Sequence, residues 1–168
     1  MCRPDNQIYF FTGEKIMAVE KTLVLIKPDG RKRKLTGLAI DRLDVTGLDM
    51  IGAKVVNVTD SLAREHYRSL GDKPFFESLV KFLKGEYHDI PGSRMMALVY
   101  QGENAVAVVR KIAGATDPED AAVGTIRNEF GRVCRKSGLY ENVVHASSDP
   151  VEAEREIKLW FSEGEIAD

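Results

Sequence analysis

Few side chains in this 168-residue sequence are placed to do chemistry. Only three histidines occur, at positions 66, 88 and 145. The two cysteines, Cys2 and Cys134, stand far apart without metal-ligand spacing. His145 closes the apolar stretch "NVVH" and is followed by a polar turn and a helix. In that helix Glu156 falls between Ala153 and Trp160 on the wheel, at the border of the apolar stripe. A carboxylate there can accept a hydrogen bond from one imidazole nitrogen, fixing the tautomer and leaving the other nitrogen's lone pair as a nucleophile. Ser147 is close enough in sequence to steady the carboxylate. By spacing alone, a reacting imidazole and a satisfied core histidine fit His145 equally well. His66, on a helix, and His88, in a polar loop, read as solvated.

Other candidates are sparse. Lys27 ends an apolar strand, where a solvated lysine is the plain reading, and Arg110 lies on a helix, where a surface arginine is. Arg127 follows "AAVGTI" inside a long loop and is less easily assigned to the surface. Phe75, in "PFF", reads first as core packing. The sequence holds no G-x-x-x-x-G-K-[ST], no G-x-G-x-x-G, no H-E-x-x-H and no G-x-S-x-G. Any phosphate chemistry therefore falls to side chains rather than to a glycine-rich loop.

The elements that must position these residues can be read from periodicity and punctuation. "TLVLIK" (22–27) is an apolar strand ending in the turn signal "PDG". Residues 36–45 form a helix closed by Gly47, and 48–59 are rich in strand formers. "DSLAREHY" begins a helix with Asp60 or Ser61 as N-cap, and 73–85 form another with Pro74 in its first turn. Residues 85–94 form a polar loop, 95–100 a strand, and 103–114 a helix capped near Gly114. Residues 115–141 read as mostly irregular, and a loop of that length is usually functional. A strand at 142–145 and a helix at 150–161 end the domain. Asp149 fits the N-cap, Pro150 fits N1, and Ala153, Ile157, Trp160 and Phe161 make the buried stripe. Without the extra helices the order is βαββαβ, a split βαβ arrangement.

Length and composition allow one domain with a sizeable core. Residues 1–17 read as a poorly ordered N-terminal extension and 18–168 as a single domain. No stretch approaches a membrane span, and the N-terminus lacks the apolar core of a secretory signal, so a reducing cytoplasm is expected. A net charge of −2 gives no global positive field for nucleic acid or anionic membrane, so an anionic ligand needs a local basic pocket. The strands also lack the paired aromatics of an RRM-type RNA binder.

Five motifs in order, "KPDG", "HY" then "KPFF", "RKIAGATDP", "GTIR" and "NVVHAS…EAEREI…WF", are similar to those of the nucleoside diphosphate kinases, over about 20–161. The resemblance implies a ferredoxin-like antiparallel four-stranded sheet with helices on one face, of the α+β class. It implies transfer of the γ-phosphoryl group of a nucleoside triphosphate to a nucleoside diphosphate, by a ping-pong route with low base selectivity. It further implies a phosphohistidine formed on Nδ1 of His145, with Glu156 contacting the Nδ1 side and Ser147 alongside. Lys27 and Asn142 would hold ribose hydroxyls and sugar-side phosphate oxygens. Phe75 would stack on the base with Leu79 beside it, Arg110, Thr116 and Arg127 would bind phosphates, and Tyr67 would lie near the transferred group. Mg²⁺ is expected on the nucleotide phosphates rather than on protein ligands, and a homo-oligomer is expected, hexamer ahead of tetramer.

Asn142 and His145 are three residues apart, so in a regular strand they would face opposite sides. Both can serve one pocket only if the chain turns there. The sequence also departs from the family pattern in its Ser148-Asp149 order, in Ser69 where an acid is usual, and in longer loops at 85–94 and 132–141.

Overall fold

The structure, a computed structural model, describes residues 19–90 and 93–167, so the 1–17 extension lies outside the described residues. Its centre is an antiparallel sheet of four strands: β1 (Val19–Ile26), β2 (Asp49–Asn57), β3 (Arg94–Glu103) and a short strand, Val144–Ala146. The spatial order is β2, β3, β1, then Val144–Ala146, the order of a ferredoxin-like βαββαβ unit. In β1 the apolar run is continuous because both faces are covered. Leu23 and Leu25 face one core and Val24 and Ile26 the other.

The expectation of helices on one face is therefore corrected. Helices α1 (Pro28–Lys32) and α2 (Thr36–Asp44) follow β1; α3 (Asp60–His66) and α4 (Phe76–Leu83) follow β2; α5 (Ala105–Ala113) and α6 (Ile126–Phe130) follow β3; and α7 (Pro150–Trp160) ends the domain. Ala63, Val80, Leu83, Ile157 and Trp160 bring α3, α4 and α7 onto the Leu23–Leu25 face. Ala39, Leu43, Val109, Ala113 and Ile126 bring α2, α5 and α6 onto the other.

Several boundaries move for local reasons. Thr59, not Asp60 or Ser61, caps α3, its hydroxyl accepting from Leu62 N–H at 3.1 Å. Asp60 instead pairs with Arg64 and Lys84. Helix α4 starts at Phe76, because Lys73 to Phe76 form a turn closed by Phe76 N–H to Lys73 O at 3.0 Å, leaving Pro74 and Phe75 outside. The "PDG" turn is one helical turn, α1, with Pro28 at N1. The segment read as irregular contains α6 and a two-stranded hairpin, β4 (Arg132–Val133) and β5 (Tyr140–Glu141). The last sheet strand, β6, begins at Val144 rather than 142. Asp149 caps α7 as read, accepting from Glu152 N–H at 2.9 Å.

Candidate active site

The residues after β1 build the floor of the site. Lys27 N–H donates to Val143 O at 2.8 Å, and Asp29 Oδ2 accepts from Val143 N–H at 2.9 Å. Clamped on both sides, Val143 takes φ +67°, and Val144 N–H donates to Asn142 O at 2.7 Å, which makes a γ-turn of the rare positive-φ hand. Gly30 leaves the room this turn needs: a Cβ there would lie 2.9 Å from Val143 Cγ1 and 3.0 Å from Val143 O. The turn breaks the strand alternation, so Asn142 and His145 line one cleft although three residues apart.

That cleft, of about 810 Å³, is lined by every residue that the resemblance names for catalysis or nucleotide binding except Ser147. Ser147 is fully buried beneath it. Its hydroxyl donates to Glu156 Oε2 at 2.7 Å and accepts from Leu23 N–H at 3.2 Å. His145 Nε2 lies 2.9 Å from Glu156 Oε1 and 3.0 Å from Oε2. The carboxylate thus sits on Nε2, which corrects the expectation that it contacts the Nδ1 side. No described residue hydrogen-bonds to Nδ1. Burial works to raise the Glu156 carboxyl, but the bonds from His145 and Ser147 prevail and hold it below the usual range.

The basic groups are positioned differently from one another. Lys27 Nζ donates to Asn142 Oδ1 at 2.7 Å and lies 4.6 Å from the Phe82 ring centre. Burial lowers its pKa to about 8, against the opposing pull of Asp29. Asn142 Nδ2 donates to Thr116 O at 2.7 Å, tying the cleft to the loop after α5. Arg127 is buried, with one Nη donating to Gly114 O at 2.8 Å and the other to Val144 O at 3.0 Å. Burial, then the nearby Arg110, lowers it to about 10. Arg110 is exposed on α5. Tyr67 stands beside them, its phenol raised by burial and by Glu156. Phe75, exposed just before α4, and Leu79 form an apolar part of the wall.

The reading of His66 and His88 as solvated is wrong. His66 is 3% exposed, and its ring stands edge to face with that of His145, centroids 4.5 Å apart. Ala63 and His66, three apart on α3, form one buried stripe, a spacing that could have revealed it. His88 is 7% exposed because Gly85, at φ +76°, folds the next turn inward. Its Nε2 pairs with Glu141 Oε1 at 2.9 Å. Asp29, Gly30 and Val143 were also missed, since a clamped turn has no periodic signature.

The chain is similar to known proteins over nearly its whole length. The family model described as nucleoside diphosphate kinase matches residues 20–166. A nucleoside diphosphate kinase of Symbiobacterium thermophilum is 46% identical over 147 residues, 88% of this chain and 90% of that one. One from Staphylococcus epidermidis is 42% identical over 150 residues, 89% and 93% of the two chains. Among solved structures, a transition-state mimic of the Borrelia burgdorferi nucleoside-diphosphate kinase with vanadate and ADP has TM-score 0.79 at 36% identity, covering 89% of this chain and 91% of that one. The Halobacterium salinarum nucleoside diphosphate kinase in complex with CDP has TM-score 0.77 at 40% identity, covering 90% and 93%. With the candidate side chains gathered in one cleft of a ferredoxin-like sheet and the family model matching residues 20–166, this chain belongs to the nucleoside diphosphate kinase family.

Proposed function

We propose that this kinase moves the γ-phosphoryl group from a nucleoside triphosphate to a nucleoside diphosphate by a ping-pong route through a phosphohistidine at His145. The observation that carries the reading is the His145–Glu156 pair: Nε2 is held at 2.9 Å by a buried carboxylate, so the lone pair belongs to Nδ1. In the first half-reaction Nδ1 attacks the γ-phosphorus, the bond to the bridging oxygen breaks, and the nucleoside diphosphate leaves with that electron pair. A terminal phosphate oxygen of the acceptor diphosphate then attacks the phosphohistidine, and the imidazole is restored. Glu156 compensates the positive charge that the ring gains on phosphorylation, and Ser147 holds Glu156 in place.

Phosphoryl transfer asks mainly for positioning and charge neutralisation. Arg110, Thr116 and Arg127 hold the phosphates, with Tyr67 beside the transferred group. Lys27 and Asn142, joined at 2.7 Å, hold ribose hydroxyls and sugar-side oxygens. Phe75 stacks on the base with Leu79 beside it. Stacking reads bases weakly, because every base has a π-face. The nucleotides named for two similar structures, ADP and CDP, are a purine and a pyrimidine, which supports low base selectivity. ATP is then one donor among several, and the enzyme balances nucleotide pools.

Mg²⁺, when bound on the substrate phosphates, would supply charge neutralisation there. Of the carboxylates lining the cleft, Glu156 is engaged by His145 and Ser147 and Glu152 by Arg155, so substrate oxygens are left for a hard cation. The same reading makes the protein a cytoplasmic homo-oligomer, hexamer ahead of tetramer. The outer edge of β2, which no strand among the described residues covers although Ala167 N–H donates to Ile51 O at 2.7 Å, has exposed Met50 and Val55 and offers a surface for a second copy. Among the described residues no helix is long and apolar enough to cross a membrane.

Initial rates at several fixed acceptor concentrations should give parallel double-reciprocal lines, and His145→Ala should lose transfer while still binding nucleotide. Intersecting lines, or turnover by that variant, contradict the reading.

A further inference from the structure

Trp160 ends α7 buried, and its indole nitrogen lies 3.2 Å from Nδ1 of His66. An indole N–H can only donate, so Nδ1 must present its lone pair and His66 is the Nε2–H tautomer. The same Nδ1 lies 3.8 Å from Oε1 of Glu156, the oxygen 2.9 Å from His145 Nε2. One carboxylate therefore has two imidazoles within reach. A proton on His66 Nδ1 would point a second N–H at Glu156 and weaken its hold on His145.

We propose that Trp160 acts through His66 as a positioning device: by occupying the His66 Nδ1 lone pair, it reserves Glu156 for His145. The consequence for catalysis rests on the reading that His145 is the nucleophile. The titratable and charged groups facing His66 are His145 from β6, Glu156 and Arg155 from α7, Lys27 from the end of β1, and the adjacent Tyr67. Arg155 also donates to the His66 carbonyl at 3.2 Å. Burial, with the positive neighbours, holds His66 well below the ordinary histidine range, so the ring stays neutral. Its Nε2–H is buried without a hydrogen-bond partner among the described residues. With no described partner at Nε2, the Trp160 donor at Nδ1 is what sets the tautomer.

Two-bond ¹H–¹⁵N correlation spectra of the full chain test the claim. In the wild type His66 should show a protonated Nε2 and a bare Nδ1 throughout the neutral range. Trp160→Phe keeps the ring and removes the donor. His66 should then change tautomer or titrate, and the His145 ring signals should shift. Phosphorylation by Mg·ATP should slow roughly tenfold, more at acid pH, with nucleotide affinity unchanged. Trp160→Phe combined with His66→Leu, which has no imidazole to compete, should regain most of the rate. A protonated Nδ1 in wild-type His66, unmoved His145 signals in Trp160→Phe, or a double variant as slow as the single one would overturn the proposal. Absence of any phosphoenzyme in the wild type would instead overturn the nucleophile reading, and the spectra would still decide the tautomer.

Discussion

The backbone of Lys27 is bonded to that of Val143, N–H to carbonyl at 2.8 Å, and this bond decides where the neighbours of Val143 point. With Asp29 on the other side, it holds a buried valine at φ +67°, a conformation that costs of order 1–3 kcal/mol and persists because the surroundings over-determine it. Asn142 and His145 reach one cleft as a result. The first motif of the chain, "KPDG", thus shapes the strand that carries the last.

Gly30→Ala tests the clamp. Its Cβ would press on Val143 Cγ1 and Val143 O, neither of which is the end of a flexible side chain. Overpacking of this kind costs about 1–3 kcal/mol. The variant should melt several degrees lower and lose phosphorylation out of proportion to its unfolding. Unchanged activity in a folded variant would show that the turn does not set the His145 geometry.

Glu156→Gln keeps the shape of the side chain and removes the charge facing Nε2 of His145. The rate of phosphoenzyme formation should fall roughly ten- to a hundredfold, the loss of one hydrogen bond to a charged group, with nucleotide affinity little changed. Ser147→Ala should show a smaller loss of the same kind, because it removes the 2.7 Å bond to Glu156, together with the acceptor for Leu23 N–H, and leaves the carboxylate charge in place. Quenched-flow measurement of the first turnover checks both.

The two arginines should separate stability from binding. Arg127→Ala removes two bonds from a buried charged group to Gly114 O and Val144 O, and should cost about 3 kcal/mol. Exposed Arg110 should tolerate Ala within about 0.5 kcal/mol of wild-type stability. Both variants should bind nucleoside diphosphates more weakly. Thermal melts beside calorimetric titrations check the division.

Lys27 sets a pH dependence. Its folded pKa, about 8, lies below the ordinary 10.5, so burial of the charged form is a penalty fully present below pH 8. Between about 8 and 10.5 the unfolded chain binds more protons than the folded one, and this group's contribution to stability rises with pH. A bound nucleotide anion favours the ammonium and draws its pKa back up. Binding above pH 8 should therefore take up a proton and weaken as pH rises. Calorimetry in two buffers of different ionisation enthalpy should show that uptake; its absence would contradict the role given to Lys27.

Where the chain is periodic, the sequence was enough. The stripe of Ala153, Ile157 and Trp160, the Asp149 cap, and the position of Glu156 beside His145 were all legible in residue types and spacing. Which imidazole nitrogen Glu156 holds was left open by the residue types, and the family expectation named the Nδ1 side; the carboxylate sits on Nε2. Long-range clamps were not legible: Asp29 to Val143 spans 114 residues and leaves no local signal. His66 was legible in principle from its three-residue spacing to Ala63, whereas His88 was not, because the inward turn at Gly85 and the partner Glu141, 53 residues on, leave no periodic signal. The β4–β5 hairpin has two-residue strands, too short for an alternation to appear.

Whether His145 carries the phosphoryl group is decided by intact mass. The protein is mixed with ATP and Mg²⁺, without acceptor, and weighed at neutral to alkaline pH. A gain of one phosphoryl group per chain is expected, absent in His145→Ala and discharged by a nucleoside diphosphate. ATP binding without that gain would contradict this role and leave His145 as a ligand-contacting residue.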